Sequence, residues 1–419
     1  MAMTNSLTAA PTFDSTTDTV TLDNWSDAPY NRWSFLNLDE VIPTARVATG
    51  APAPAWPRRD DNLLALRTPR HDGLGGVQAW GTVGEVLDDT WTDGFAVLHR
   101  GTMVAEEYRG EMAPETRHLL MSVTKTVVGV LVCKLVDAGY CALTDTIEHL
   151  VPGLAGSGFA TATLRDVLDM RSGVRFNETY HDPDADVYLM EHAVGWRPPR
   201  PDVPSTMHEF LASLPREHPH GGAFRYRSSE TNVLGWVCES VTGESLADLL
   251  TRYVWAPMGA HHSGHITVDR VGSAVADGGF SATLTDVARF GELLRRNGIS
   301  ATGEQVAPEW FVTDTLLGTE DSKDAFAATN SPTGMPGGHY RNQVWVPFRM
   351  RTVMLALGIH GQMIYINQRA QVVGVKLSTW PTAQNAHAFY DTLGAFDAIA
   401  AKLTPHDHHL RDLPLADHS

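Results

Sequence analysis

In Met121-Ser122-Val123-Thr124-Lys125 a serine and a lysine stand three residues apart near the start of an apolar segment with helical spacing. At that spacing both side chains share one helix face. A serine hydroxyl is a weak nucleophile until a neighbour takes its proton. A lysine can take it if burial lowers its pKa, because desolvation penalises the ammonium form. Leu119, Leu120, Met121, Val127 and Val128 supply an apolar setting. A helix N-terminus beside the serine also favours developing negative charge. The chemistry implied is attack on an acyl carbon, with Ser122 as nucleophile and Lys125 as its base. Ser-x-x-Lys alone is common in helices, so the rest of the chain has to support the reading.

The elements that must position this pair follow from periodicity. Apolar residues at helical spacing predict a helix from Met121 to Ala138, ending near Gly139. Before it, two apolar runs around Arg100-Gly101 read as a hairpin. Thr163 to Met170 reads as a short capped helix before a Ser172-Gly173 turn. Residues 175–205 are polar, aromatic and Pro-rich, and are expected to form a long surface loop. Further helices are expected over 231–241, 245–255, 284–296 and 386–403. Residues 353–358, 363–367 and 372–378 read as consecutive antiparallel strands. Sheet at both chain ends with helices between predicts an α+β fold in which the two ends share one sheet. The expected organisation is an N-terminal extension over 1–90 that wraps a core without making one. A single larger domain follows over 91–405, with an α/β part at 91–140 and 300–405 and a helical part at 141–299. A frayed tail at 406–419 closes the chain.

Composition narrows the function classes. The 419 residues carry a formal net charge of -17, and 43% are hydrophobic. That acidity argues against nucleic acid, which needs clustered Lys and Arg, and against anionic lipid. Cys133, Cys141 and Cys238 are too few for a disulfide framework. The first residues lack a signal-peptide pattern, and no stretch is long and apolar enough for a membrane span. A reduced, cytoplasmic protein is expected. No cofactor or metal is expected either. Asp182 to Asp186 lacks the glycine and final glutamate of a calcium loop, and His261, His262 and His265 lack a zinc-helix context. No Gly-x-Ser-x-Gly elbow surrounds a nucleophile, which counts against an α/β-hydrolase.

The run Arg117 to Val130 resembles the active-site helix of the penicillin-recognising serine hydrolases, the superfamily of class C β-lactamases, D-alanyl-D-alanine peptidases and family VIII esterases. Thr163 to Val174, Phe224 to Gly235 and Gly358-Ile359-His360-Gly361-Gln362 match further stretches in the same order. A narrower resemblance is to the 6-aminohexanoate-dimer (nylon-oligomer) hydrolases. It rests on Tyr180 to Pro183, Ala193 to Trp196, Tyr226-Arg227-Ser228, Asp277 to Gly279, Gly358 to Gln362 and Lys376 to Pro381. It spans residues from about 90 to about 400. It implies a β-lactamase/DD-peptidase-like fold and a homodimer.

That resemblance also implies roles. Tyr226 sits in the proton path and protonates the leaving amine, or relays the lysine's proton. The backbone N–H groups of Ser122 and Ile359 hold the oxyanion. Ser228 ties Tyr226 to Lys125, and His360 supports the loop. Tyr180, Glu191, Asp277 and Gly361 meet the substrate: Tyr180 at the amide nitrogen, Glu191 at an ammonium, Asp277 as a pocket wall or turn. Two departures matter. Ser228 replaces the asparagine of Tyr-x-Asn, and Gly358-Ile359-His360 replaces Lys-Thr-Gly, which removes a cation for a β-lactam carboxylate. Together these favour a small linear amide or ester, with 6-aminohexanoate oligomers the named candidate. A promiscuous short-chain carboxylesterase is the second reading, and a non-catalytic peptide-binding scaffold the third.

Overall fold

The helix bearing the Ser-Lys pair runs Val123–Asp137 in the computed structural model, which describes residues 13, 14, 17–329, 335, 337–347 and 352–404. It is buried on nearly every side, as expected of a helix apolar all round. Its valine-rich sequence is a poor helix former in isolation, so tertiary packing stabilises it.

One face of a seven-stranded antiparallel sheet receives this helix. The strand order is Thr102–Tyr108, Thr92–His99, Val372–Ser378, Gln362–Asn367, Val353–Gly358, Val344–Val346, His339–Arg341. Val97 pairs with Gly374, so the two ends of the chain meet inside the sheet, one strand in from its edge. Alternate residues face opposite ways. Ala96, Leu98, Ile364, Ile366, Val373 and Val375 join the core shared with the helical region. Phe95, Val97, Met363, Tyr365 and Val372 join a second core under the closing helix Ala386–Leu403. There Phe396 stacks between Phe95 and Tyr365 at 5.6 and 5.4 Å. Burial on both faces explains why these strands read as unbroken apolar runs.

The N-terminal residues do more than the expected wrapping. Thr44–Val47 is the edge of a four-stranded sheet ordered Thr44–Val47, Gly264–Thr267, Phe280–Thr283, Arg117–Leu119. Trp25, Phe35, Leu38, Ile42 and Val47 are buried in the main core. These strands are too short for alternation to show, which is why the sequence pattern left them out. The expected loop over 175–205 contains a helix, Asp186–Ala193. The helix expected from 231 starts earlier, as Ser228–Thr242. Gly243, at φ 74, ends it. The tail 406–419 lies outside the described residues.

Candidate active site

Strand Arg117–Leu119 delivers the chain to Met121, which takes a left-handed backbone (φ 47), and then to Ser122 at the helix N-cap. An N-cap serine ordinarily spends its oxygen on the helix N–H groups. Ser122 makes no such bond. Instead Lys125 Nζ lies 2.9 Å from Ser122 Oγ and donates to it. Lys125 also donates to the Asp277 carbonyl at 2.7 Å, and its nitrogen lies 3.7 Å from Asp277 Oδ2. The Tyr226 hydroxyl interacts with both Ser122 and Lys125. Its ring stacks on Trp345 at 5.3 Å. The structure thus brings Ser122, Lys125 and Tyr226 together.

The electrostatics differ from the expectation. Lys125 is 1% exposed. Desolvation pulls its pKa down, but Tyr226, Asp277 and Glu178 together outweigh it and hold the ammonium above the ordinary lysine range. Burial raises the Tyr226 phenol, against the pull of Lys125.

Ser228 departs from its expected role. Its Oγ donates to Glu178 Oε1 at 2.8 Å and its N–H to Glu178 Oε2 at 2.5 Å. It does not bridge Tyr226 and Lys125. The carboxylate satisfies an N–H at the first turn of the helix, which accounts for the early start of Ser228–Thr242. Tyr180 also donates to Glu178, at 2.7 Å. Burial lifts the Glu178 carboxyl against the pull of Lys125. Glu178 was missed by sequence reasoning, because a glutamate in a polar loop carries no signal except its place two residues before Tyr180.

The pocket above Ser122 is lined by Met121, Tyr180, Val187, Met190, Glu191, Val194, Trp196, Ser228, Val275, Asp277, Gly278 and Ile359. Its wall is apolar but for two carboxylates, two hydroxyls and Ser122 itself. Glu191 is already paired with Arg197, and burial still raises it to about 7. Asp277 is held by a 3.1 Å bond from its N–H to Asn232. Its Oδ1 is buried with no hydrogen-bond partner among the described residues.

Ile359 reaches the pocket because strand Val353–Gly358 ends against the nucleophile turn. A Cβ on Gly358 would sit 2.6 Å from the Leu120 carbonyl. His360, at φ 60, turns its ring away from the pocket. Its Nδ1 donates to the Trp380 carbonyl at 2.8 Å, and burial lowers it to about 4, so the ring is neutral. Gly361 does not line the pocket as expected. It lies against the Trp380 indole, where a Cβ would come within 2.3 Å.

The profile of the β-lactamase family matches residues 83–395. The chain belongs to the β-lactamase family. It is 37% identical over 368 residues to a 6-aminohexanoate-dimer hydrolase of Paenarthrobacter ureafaciens, covering 88% of this chain and 90% of that one. A solved Bacillus anthracis structure, provisionally named a 6-aminohexanoate-dimer hydrolase, superposes with a TM-score of 0.84 at 26% identity. That match covers 92% of this chain and 97% of the other. A family VIII carboxylesterase shares the fold at a TM-score of 0.55 and 14% identity, over 74% of this chain and 93% of that one. The α+β β-lactamase/DD-peptidase-like fold and the resemblance to 6-aminohexanoate-dimer hydrolases are thereby established, and the chain is a hydrolase of this family. Glu191 and Asp277 line the pocket, and among the described residues no lysine or arginine does.

Proposed function

We propose that this β-lactamase-family hydrolase cleaves linear amides through an acyl-serine, with 6-aminohexanoate oligomers as the substrate class. The observation that carries the reading is Ser122 Oγ at 2.9 Å from Lys125 Nζ on the floor of an apolar pocket with two carboxylates. The relative from Paenarthrobacter ureafaciens supports the substrate class. An aliphatic chain suits the wall of Met121, Met190, Val194 and Ile359, and an ammonium end suits Glu191 once Arg197 yields its place.

In this reading Ser122 Oγ bonds to the amide carbon and its proton passes to the Lys125–Tyr226 pair. The Ser122 and Ile359 N–H groups hold the oxyanion. Tyr226 delivers a proton to the leaving nitrogen as the C–N bond breaks, which releases the amine. Water then adds to the acyl ester, the bond to Oγ breaks, and the acid leaves. Because Lys125 rests as an ammonium, acylation requires that proton to depart first, so kcat/KM rises with pH. Esters leave more easily than amines, so the same site hydrolyses small carboxyl esters. The missing pocket cation disfavours β-lactams. Three free cysteines support a reducing, cytoplasmic setting, and we carry the homodimer as an implication of the resemblance. The described residues hold no helix long and apolar enough to cross a membrane.

Ser122→Ala tests the core of this. It is expected to abolish turnover of aminohexanoate dimer and of a nitrophenyl ester, and to abolish labelling by a fluorophosphonate. Retained turnover overturns the proposal. A labelled Ser122 in the native protein separates it from a non-catalytic scaffold. In a wider panel, nitrocefin and a D-alanyl peptide are expected to turn over poorly.

A further inference from the structure

The two N–H donors proposed for the oxyanion come from widely separated segments, and each stands beside a strained residue. Met121 precedes Ser122 at φ 47, and His360 follows Ile359 at φ 60. Such conformations persist only where the surroundings hold them. Residues 25–35 supply much of that surrounding, yet they lie outside the 83–395 segment matched by the family profile.

Phe35 touches the segment before one donor and the residue after the other. Its carbonyl accepts the Leu119 N–H at 2.8 Å, three residues before the nucleophile. Its ring, fully buried, meets the His360 ring edge to face at 5.3 Å. Asn31, also fully buried, donates from Nδ2 to the Trp380 carbonyl at 3.0 Å. That carbonyl is the one that accepts His360 Nδ1. The Trp380 N–H in turn bonds the His360 carbonyl at 3.1 Å. Trp25 reaches a third part of the site: its Nε1 donates at 2.7 Å to the carbonyl of Trp196, a pocket-wall residue, and the two indoles meet edge to face at 5.3 Å. A segment that merely covered apolar surface has no need of directed bonds to these two carbonyls.

We infer that residues 25–35 are a positioning brace for catalysis: Phe35 and Asn31 set the Ile359 loop against the Ser122 turn, and Trp25 sets the Trp196 wall. The inference rests on the proposed oxyanion role of Ser122 and Ile359. None of the three side chains lines the pocket, so all act through the groups they hold.

The test measures kcat and KM on a nitrophenyl ester per active site titrated with a fluorophosphonate, so that misfolded protein drops out. Asn31→Leu removes one donor at similar volume and is expected to lower kcat about tenfold with KM within about twofold, as a displaced oxyanion donor does. Trp25→Phe keeps the ring, loses the N–H, and is expected to raise KM several-fold with kcat held. Both constants within about twofold of the native protein in both variants overturn the brace. If Asn31→Leu does not fold, Phe35→Leu takes its place with the same expected and overturning results. Ser122→Ala separates the two levels. If it keeps turnover, the reading of the site falls. If it is inactive while the brace variants are native-like, the brace alone falls.

Discussion

Two lysines are buried among the described residues, and they have opposite electrostatic fates. Lys125 is 1% exposed and Lys376 is 0% exposed. Desolvation pushes both pKa values down. At Lys125 that push is outweighed by Tyr226, Asp277 and Glu178, and the pKa rises. At Lys376 only Asp93 opposes it, Arg109 adds to it, and the pKa falls to about 7. Lys376 Nζ has a carbonyl, that of Thr90 at 3.1 Å, a hydroxyl, that of Ser378, and the face of Trp380 at 5.6 Å. Dipoles and a π face solvate an amine without paying back a full charge. Burial alone thus does not set the direction of these two shifts; the charged groups around each lysine do.

The comparison breaks most visibly in kinetics. Lys125→Met is expected to lower kcat/KM by about a thousandfold or more, whereas Lys376→Met leaves it within about twofold. Equal losses in steady-state assays of the two variants would dissolve the contrast. A smaller effect sharpens it. Asp277→Asn removes one of the charges that hold the Lys125 ammonium, so its pKa falls and the free amine exists at lower pH. The rising limb of kcat/KM against pH should move to the acid side by about one unit. An unmoved or alkaline-shifted limb would show that Asp277 does not hold the charge.

A third effect is on stability. Unfolded Lys376 keeps its proton to the ordinary 10.5, and folded Lys376 loses it near 7. Between those values the unfolded chain binds the extra proton, so the contribution of Lys376 to stability rises with pH by up to about 1.4 kcal/mol per unit. Denaturant titrations from pH 7 to 10 should show that rise in the native protein and its loss in Lys376→Met. Lys125, with its raised pKa, contributes in the other direction, stabilising below 10.5 and losing that contribution at higher pH.

Much of the fold was legible before any coordinates. The apolar runs at 353–358, 363–367 and 372–378 are strands as expected, and the hairpin at Arg100-Gly101 and the helix over 386–403 are present. These elements bury whole faces, so burial writes their period into the sequence. Thr44–Val47 and Phe280–Thr283 were not legible, because four residues cannot display a period. In the site, Ser122, Lys125 and Tyr226 were found by spacing and resemblance, while Glu178 and Arg197 were not. Their importance comes from which side chains the fold sets beside them, Ser228 and Tyr180 for one, Glu191 for the other.

Sequence alone determined the class of fold, and a serine three residues before a lysine on an apolar helix, in company with Tyr226 and Gly358 to Gln362, pointed to the chemistry proposed for the site. It could not determine the charge on that lysine. Local sequence predicts an apolar surround and hence a lowered pKa. Tyr226, Asp277 and Glu178 arrive from distant segments and reverse the sign, because Coulomb interactions depend on distance in space and not along the chain. The tertiary structure likewise decided that Ser228 serves Glu178, that Gly361 lies against Trp380 away from the pocket, and that Trp25, Phe35, Leu38, Ile42 and Val47 belong to the core.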